Sequence, residues 1–243
     1  MPCFGLLGYP LSHSFSQQYF TEKFARLGLT GYVYENFSLP DIHELNQILA
    51  DRKDLLGFNI TIPYKKQIIE FLQETSPVVA EINACNCVRI QDGKLKGYNT
   101  DVIGFEASLA PFLKPHHTRA LILGTGGASA AVEYVLRKSG IGYTNVSRTA
   151  SPKGITYQDI TKDLMESHYL IINTTPLGMF PNIAEAPDIP YQFLGSRHHL
   201  YDLIYNPIET LFLAKGRSQG ATVQNGQEML VLQAEESWRI WNS

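Results

Sequence analysis

The sequence predicts an α/β protein that is built from two domains. Apolar strands alternate with amphipathic helices from the N-terminus onward, and this alternation is typical of a mostly parallel sheet. At residue 119 a buried strand leads through a glycine-rich turn into a helix, so the strand–helix pattern restarts there. We therefore expect one domain at 1–101, completed by a C-terminal helix at 226–243, and a second domain at 102–225.

Hydrophobic periodicity and glycine or proline stop signals place the elements of the first domain. The predicted elements are a strand at Phe4–Gly8, a helix at Ser16–Leu27, a strand at Tyr32–Phe37, a helix opened by Pro40 and a strand at Leu56–Ile62. A hairpin follows at Cys87–Tyr98, with Asp92-Gly93 as its two-residue turn. This turn sets Gln91 opposite Lys94 and Asn86 opposite Asn99. The open end of the hairpin should then gather Asn86, Asn99, Thr100 and Asp101, although asparagine and aspartate also occur there simply as turn formers.

The second domain repeats the pattern with shorter strands. Its predicted elements are strands at Ala120–Leu123, Tyr143–Ser147, Tyr169–Asn173 and Leu200–Tyr205, and helices at Ala130–Ser139 and Met229–Trp241. The last helix follows the turn dipeptide Asn225-Gly226.

Composition excludes several classes of protein. Hydrophobic residues make up 44% and charged residues 18% of the chain, as in an ordinary globular protein. The net charge of −3 gives no electrostatic reason to expect nucleic acid or an anionic membrane as a partner. The N-terminal apolar stretch has no basic region before it and is interrupted by Pro10, so we expect no signal peptide and no membrane span. The expected location is the cytoplasm.

The cysteines and histidines do not predict a metal site. Cys3, Cys85 and Cys87 are not accompanied by a Cys/His pair with ligand spacing, so we interpret them as small buried thiols. The pairs His116-His117 and His198-His199 lie beside loop-like sequence, and we expect them at the surface.

The glycine-rich turn indicates a dinucleotide site. A strand that runs through Gly124-Thr125-Gly126-Gly127 into a helix brings backbone N–H groups and a helix N-terminus beside a pyrophosphate, as in a Rossmann-like domain. An NAD site would place an acid after the second strand, but this strand ends Ser147-Arg148-Thr149. Arg148 suits a 2′-phosphate, which favours NADP, although a solvated arginine at a strand end is also common.

A polar strand end in the first domain indicates a second site. In an extended strand Asn59 and Thr61 share one face, where a polyol ligand could supply their hydrogen-bond partners. Lys65 follows Pro63 where the strand gives way to a helix, and the carboxyl ends of parallel strands are where open α/β sheets bind ligands. A lysine at a helix start is otherwise an ordinary surface residue.

Together these segments closely resemble the shikimate dehydrogenase family. The matching stretches are PLSHSFS, GFNITIPYK, the Asn86 segment, YNTD, LGTGGAS, SRT, NTTPLGM, YDLIYNP and NGQEMLVLQA, and they occur in the family's order across nearly the whole chain. The resemblance implies reversible NADP-dependent reduction of 3-dehydroshikimate to shikimate in aromatic amino-acid (chorismate) biosynthesis. It implies a small-molecule substrate and a monomer or homodimer.

The resemblance also implies roles for individual residues. Lys65 matches the catalytic lysine and Asp101 the carboxylate paired with it. Residues that match the substrate-binding positions are Ser12, Ser14, Asn59, Thr61, Asn86, Asp101, Tyr205 and Gln233. Residues that match the cofactor-binding positions are Gly124, Thr125, Gly126, Gly127, Ala128, Ser147, Arg148, Thr149, Leu203 and Gly226.

The sequence departs from the family pattern at a few positions. Ser147 stands where asparagine is usual, and Pro152 stands where a second basic residue often holds the phosphate, with Lys153 one position later. Cys87 replaces the threonine that commonly follows the substrate asparagine. These departures bear on cofactor affinity more than on the type of reaction.

Three alternatives remain open at this point. A quinate/shikimate dehydrogenase that uses NAD would share Lys65 and Asp101, but an acid tends to follow its second strand. A methylene-tetrahydrofolate dehydrogenase would not explain the Ser12-His13-Ser14 loop. A non-catalytic dinucleotide-binding sensor would be expected to have lost Lys65 or Asp101.

Overall fold

The structure is a computed structural model that describes residues 1–11, 15–149, 152 and 154–243. The chain separates into two compact units, Met1–Thr100 with Ala234–Ser243, and Asp101–Gln233. This division places Asp101 and residues 226–233 in the second unit, whereas the predicted domain limits assign them to the first.

The first unit contains a mixed six-stranded sheet. Its strands are β1 (Cys3–Gly8), β2 (Val33–Ser38), β3 (Leu55–Ile60), β4 (Glu74–Thr75), β5 (Cys87–Gln91) and β6 (Lys94–Tyr98), in the order β2-β1-β3-β5-β6-β4. β1 pairs in parallel with β2 and β3, β4 pairs in parallel with β6, and the β5–β6 hairpin is antiparallel. Gln91 pairs with Lys94, so the predicted hairpin register is confirmed.

Short helices connect the strands of this sheet. They are α1 (Phe15–Arg26), α2 (Leu45–Asp51) and α3 (Pro77–Ile82), with 3-10 turns at Ile42–Glu44 and Gln67–Phe71, and α4 (Thr100–Leu109) leads into the second unit. The turn after Pro40 begins later than predicted, because Asp41 is the N-cap and its carboxylate accepts a hydrogen bond from the His43 N–H. Lys65 lies in the turn before Gln67 and not at a helix start.

The second unit contains a parallel six-stranded sheet. Its strands are β7 (Arg119–Leu123), β8 (Gly142–Ser147), β9 (Gly154–Thr156), β10 (Leu170–Asn173), β11 (His199–Asp202) and β12 (Thr222–Gln224), in the order β12-β11-β10-β7-β8-β9. The strand order reverses direction between β7 and β10, which is the switch point where doubly wound sheets bind ligands. The predicted fold class is confirmed.

The helices of this unit are α5 (Gly127–Lys138), α6 (Lys162–Ser167), α7 (Leu211–Ser218) and α8 (Gln227–Trp241), whose last turns belong to the first unit. α5 begins inside the glycine-rich turn, ahead of the predicted start at Ala130. β11 ends at Asp202, short of the predicted Tyr205.

The prediction that both histidine pairs lie at the surface was wrong for three of the four residues. His117 and His198 are 4% exposed and His199 is fully buried. The Lys114 N–H donates to His117 Nδ1 at 3.2 Å, and the Gly195 N–H donates to His198 Nδ1 at 3.0 Å. Burial lowers the pKa of all three imidazoles, that of His199 to about 4. These rings are therefore neutral at physiological pH, and two of them accept hydrogen bonds from loop backbone.

All three cysteines are buried thiols outside any disulfide, as predicted. Within the described ranges no cluster of three metal-ligating side chains occurs. No helix in the described part of the chain is both long and apolar enough to cross a bilayer.

Candidate active site

In the first unit, the ends of β1 and β3 lie side by side. The Thr61 N–H donates to the Leu7 carbonyl oxygen at 2.9 Å, and the Tyr9 N–H donates to the Ile62 carbonyl oxygen at 3.1 Å. A Cβ on Gly8 would lie 2.4 Å from Thr61 Cγ2, so only glycine permits this approach. The loop after β1 therefore leaves the sheet beside Thr61. Ser12 and Ser14, which follow in the sequence, lie outside the described residues.

Lys65 is half-buried in the turn that follows β3. Its carbonyl oxygen accepts a hydrogen bond from the Cys85 N–H at 2.8 Å, and the Asn86 carbonyl oxygen accepts one from the Ile60 N–H at 2.8 Å. The lysine is thereby held beside the segment that carries Asn86. Sequence spacing could not reveal this pairing, since the two segments are far apart along the chain.

Asn59 is buried, and protein groups satisfy both ends of its amide. Oδ1 accepts from the Tyr34 hydroxyl at 3.0 Å, and Nδ2 donates to Ser237 Oγ at 2.8 Å and to the Asn86 carbonyl oxygen at 3.3 Å. The expected polyol partner is thus replaced by protein groups. β3 ends at Ile60, so the alternation expected through Ile62 stops there, and Ile62 is 74% exposed.

Asn86 is oriented by the start of α4. Its Oδ1 accepts from the Thr100 N–H at 2.6 Å, which fixes the orientation of the amide. Its Nδ2 donates to Thr100 Oγ1 at 3.1 Å and, with two hydrogens, has a further one for another acceptor. The hairpin end therefore brings Asn86 and Thr100 together as predicted.

Three predicted substrate residues belong to the second unit. Asp101 is buried in the first turn of α4, where a carboxylate complements the helix dipole. Gln233 is buried on α8, and its Nε2 donates to the Leu230 carbonyl oxygen at 2.9 Å. Tyr205 is half-buried after β11, and burial raises the pKa of its phenol.

A pocket of about 390 Å³ opens at the switch point of the second sheet. We call it the glycine-turn pocket. Its lining residues are Gly124, Thr125, Gly126, Ser147, Arg148, Tyr157, Thr174, Thr175, Pro176 and Leu177. Tyr157 and the segment 174–177 were not assigned from sequence; the location of 174–177 directly after a buried strand was the available signal.

The glycine turn fits a pyrophosphate. A Cβ added at Gly126 or Gly127 would meet nothing within 4 Å, so open space lies directly before the N-terminus of α5. Gly124 has φ +106, and a Cβ there would lie 2.8 Å from Thr174 Oγ1. Ala128 lies in the first turn of α5. The N–H groups of a helix start are suitable donors to phosphate oxygens.

The arginine at the end of β8 is available to an anionic ligand. Arg148 is exposed at the pocket, and within the described part of the chain its guanidinium has no hydrogen bond or ion pair. Ser147 Oγ donates to the carbonyl oxygen of exposed Thr149 at 2.5 Å. Pro152 is exposed, and Lys153 lies outside the described residues.

Leu203 and Gly226 are brought into close contact. A Cβ on Gly226 would lie 2.1 Å from the Leu203 carbonyl oxygen, and the Gly226 N–H donates to the Ile204 carbonyl oxygen at 3.0 Å. The start of α8 is thus packed against the loop after β11.

Comparisons with known proteins agree with this geometry. A family model described as the shikimate dehydrogenase substrate binding domain matches residues 6–88. A shikimate dehydrogenase (NADP+) of Caldicellulosiruptor saccharolyticus is 37% identical, over 97% of this chain and 90% of the relative.

Solved structures match over nearly the whole chain. A shikimate 5-dehydrogenase of Thermus thermophilus in complex with NADP(H) and shikimate is 30% identical with a TM-score of 0.87, over 99% of this chain and 93% of that one. A quinate dehydrogenase of Corynebacterium glutamicum in complex with NAD is 25% identical with a TM-score of 0.87, over 99% of this chain and 93% of that one.

Proposed function

The chain belongs to the shikimate dehydrogenase family, and we propose that it uses Lys65 and Asp101 to catalyse that family's reaction. The reaction is the reversible NADP-dependent reduction of 3-dehydroshikimate to shikimate, an oxidoreductase step of aromatic amino-acid biosynthesis. The observation that supports the residue assignment most is the hydrogen bond that holds Lys65 beside the Asn86 segment.

Lys65 donates one proton to the substrate oxygen or accepts one from it, depending on the direction of the reaction. Reduction of the substrate ketone develops negative charge on its oxygen, which the Lys65 ammonium stabilises and protonates. In the opposite direction the neutral amine accepts the hydroxyl proton. Asp101 orients the lysine and accepts a hydrogen bond from the neighbouring hydroxyl.

The substrate is bound through its carboxylate and its ring hydroxyls. Ser12 and Ser14 bind the carboxylate, with Tyr205 near it, and Thr61, Asn86 and Gln233 bind ring hydroxyls. The protein partners of the Asn59 amide favour a supporting role, in which Asn59 positions the Asn86 backbone.

The second unit would hold the cofactor, which when bound supplies hydride as NADPH and accepts it as NADP+. Gly124, Thr125, Gly126, Gly127 and Ala128 bind the pyrophosphate, and Leu203 and Gly226 lie toward the nicotinamide. Ser147, Arg148 and Thr149 bind the adenosine phosphate. The open space at α5 and a guanidinium that no described residue pairs with support this fit.

Assignments of the domain roles, the oligomeric state and the cellular location complete the proposal. Substrate binding belongs to residues 1–101 with the C-terminal helix 226–243, and cofactor binding to residues 102–225. The assembly is a monomer or homodimer, to be decided by light scattering. The location is the cytoplasm, where fractionation of the source cells should recover the activity.

Replacing the lysine tests the catalytic assignment. In Lys65→Ala we expect the rate of shikimate oxidation with NADP+ to fall by about 10²–10⁴, while the shikimate Kd stays within about threefold, because the lost group acts on the proton in transit. Lys66→Ala is the matched control, since Lys66 is exposed on the same turn and should leave both values unchanged. Lost binding with intact turnover of bound substrate would reverse the assignment.

The alternative that a specific observation favours is a dehydrogenase that also accepts quinate with NAD, as the similarity to the Corynebacterium glutamicum structure indicates. The absence of an acid beside Arg148 in the sequence at the end of β8 weighs against it.

A further inference from the structure

A buried carboxylate lies behind the glycine-turn pocket. Asp202, the last residue of β11, is fully buried, and no basic side chain in the described ranges pairs with it. Oδ1 accepts from Asn173 Nδ2 at 3.0 Å and from the Ile204 N–H at 3.1 Å, and Oδ2 accepts from the Thr210 hydroxyl at 2.6 Å. Burying a carboxylate away from cations is costly, so such a group is unexpected in a merely structural position.

The carboxylate sets the direction of a chain of hydrogen bonds. Because Asn173 Nδ2 faces Asp202, Asn173 Oδ1 faces away from it. There it accepts from the Thr175 N–H at 3.0 Å and from the Thr175 hydroxyl at 2.6 Å. Thr175 Oγ1 in turn accepts from the Leu177 N–H at 3.3 Å. Thr175 and Leu177 both line the glycine-turn pocket, so the chain runs from Asp202 to the pocket wall.

An acceptor at position 202 and the Thr175 N–H together favour this direction. An ionised carboxylate cannot donate, so it forces the amide hydrogens of Asn173 toward itself and the amide oxygen toward Thr175. A carboxamide or a protonated carboxyl at position 202 can donate, which would also permit the reversed amide. A reversed Asn173 would present N–H groups to the Thr175 N–H, and the wall would lose its present shape.

The same carboxylate holds the loop after β11. Besides the Ile204 N–H bond to Asp202, the Leu203 N–H donates to the Asn173 carbonyl oxygen at 3.0 Å. Leu203 is also packed against Gly226. One buried group therefore connects two segments of the proposed cofactor site.

We propose that Asp202 is a positioning residue for the cofactor, whose ionised carboxylate orients the Asn173 amide and thereby shapes the Thr174–Leu177 wall. This inference rests on the proposal that the glycine-turn pocket binds NADP.

The surroundings make the carboxylate responsive to mild acid. Burial raises the pKa of Asp202 to about 6, opposed by its bonds from Thr210, Ile204 and Asn173. The titratable group that faces it from the neighbouring 3-10 turn Tyr191–Phe193 is the Tyr191 phenol, whose pKa burial raises well above neutral. Asp202 thus changes charge within the working range, whereas the Tyr191 phenol stays neutral.

Calorimetric titration of the full chain with NADP+, at about pH 8 and about pH 5, tests the proposal. We expect Asp202→Asn to raise the NADP+ Kd about tenfold at the higher pH, because the variant loses a buried arrangement of hydrogen bonds. At the lower pH the wild-type carboxyl is protonated and resembles the carboxamide of the variant. The Kd of the variant divided by that of the wild type should therefore fall to within about twofold. Ionisation of the cofactor phosphate affects both proteins equally, so it does not change this ratio.

Two further variants separate positioning from folding. Thr175→Val breaks the chain beyond Asn173, so it should weaken NADP+ binding about tenfold at about pH 8 and by a smaller factor at about pH 5. Thr210→Val removes only the bond to Oδ2 and the cap of α7; it should lower Tm but leave the NADP+ Kd within about twofold. A Kd ratio for Asp202→Asn that is near one at about pH 8, or equal at both pH values, overturns the proposal, as does equal weakening by Thr210→Val. Failure of the wild type to bind NADP+ would instead contradict the proposed function.

Discussion

Arg148 and Asp202 are charged residues of the same unit in opposite environments. Arg148 is exposed and carries a charge that no described residue neutralises, as expected for a residue that binds an anionic ligand. Asp202 is buried, and the described residues around it solvate its charge through hydrogen-bond donors. The first residue is predicted to determine which cofactor binds, and the second to determine how firmly the pocket wall is held.

Arg148→Ala should remove most of the preference for NADPH over NADH. Hydrogen bonds to a charged group contribute roughly 1.5–3 kcal/mol, so kcat/KM with NADPH should fall about ten- to a hundredfold. The value with NADH, which lacks the 2′-phosphate, should be nearly unchanged. Arg217→Ala, on the exposed end of α7, is the matched control, and Lys153→Ala tests the neighbouring lysine. Equal damage to both cofactors would mean that Arg148 supports the fold or stacks on adenine.

Ser12→Ala and Ser14→Ala should each raise the KM for shikimate and leave kcat nearly unchanged. A hydroxyl that binds the substrate carboxylate does so in the ground state and in the transition state alike, so its loss weakens both equally. Steady-state kinetics of the two variants measures this. A collapse of kcat at constant KM would exclude an anchoring role for the loop.

Asp202 should also make stability depend on pH. Its folded pKa of about 6 lies above the ordinary value of 3.8, so the folded state binds more protons than the unfolded state between these values. The contribution of Asp202 to the free energy of unfolding is fully present below about pH 4. It falls by about 3 kcal/mol in total as the pH rises through about 6. In urea unfolding, the free energy of unfolding of Asp202→Asn minus that of the wild type should therefore be larger at pH 7 than at pH 4. A margin independent of pH would contradict the assignment.

At the scale of the elements, the glycine-rich turn and the loop after β11 shape the proposed cofactor site. α5 starts at Gly127 with open space before it, and α8 starts where Gly226 meets Leu203. Glycine is required at the start of α8 by close backbone approach, and at the start of α5 it leaves room for the proposed pyrophosphate.

Gly226→Ala should weaken NADP+ binding at least about tenfold. The added Cβ would lie 2.1 Å from the Leu203 carbonyl oxygen, so the loop must move, and overpacking of this kind typically costs about 1–3 kcal/mol. Fluorescence titration with NADP+ measures the effect. Gly195→Ala is the control, because an added Cβ there meets nothing within 4 Å. Wild-type affinity in Gly226→Ala would show that the loop after β11 does not contribute to the site.

Local patterns predicted the elements better than the contacts between them. The β5–β6 register followed from the turn Asp92-Gly93, and the glycine-rich turn into α5 followed from its glycines. Short strands such as β4, β9 and β12 gave no signal, because two or three residues carry no measurable alternation. The partners of Asn59 and Asp202 come from distant segments, and the imidazole of His198 is buried although its flanking sequence is loop-like. Burial of this kind depends on tertiary contacts that a local pattern does not contain.

At the scale of the molecule, one chain combines a mixed sheet with an all-parallel sheet, and each carries its part of the proposed chemistry. The similarity to relatives covers nearly the full length of this chain and about nine tenths of theirs. Function is therefore inferred for the whole protein and not for one domain alone.

The most direct test is a steady-state comparison of shikimate and quinate, each oxidised with NADP+ and with NAD+. The account predicts the highest kcat/KM for shikimate with NADP+, and a value at least about tenfold lower for shikimate with NAD+, because only NADP+ carries the 2′-phosphate that Arg148 binds. Quinate should be the poorer substrate with either cofactor. A higher kcat/KM for quinate with NAD+ would contradict the account, and so would the absence of turnover in all four combinations.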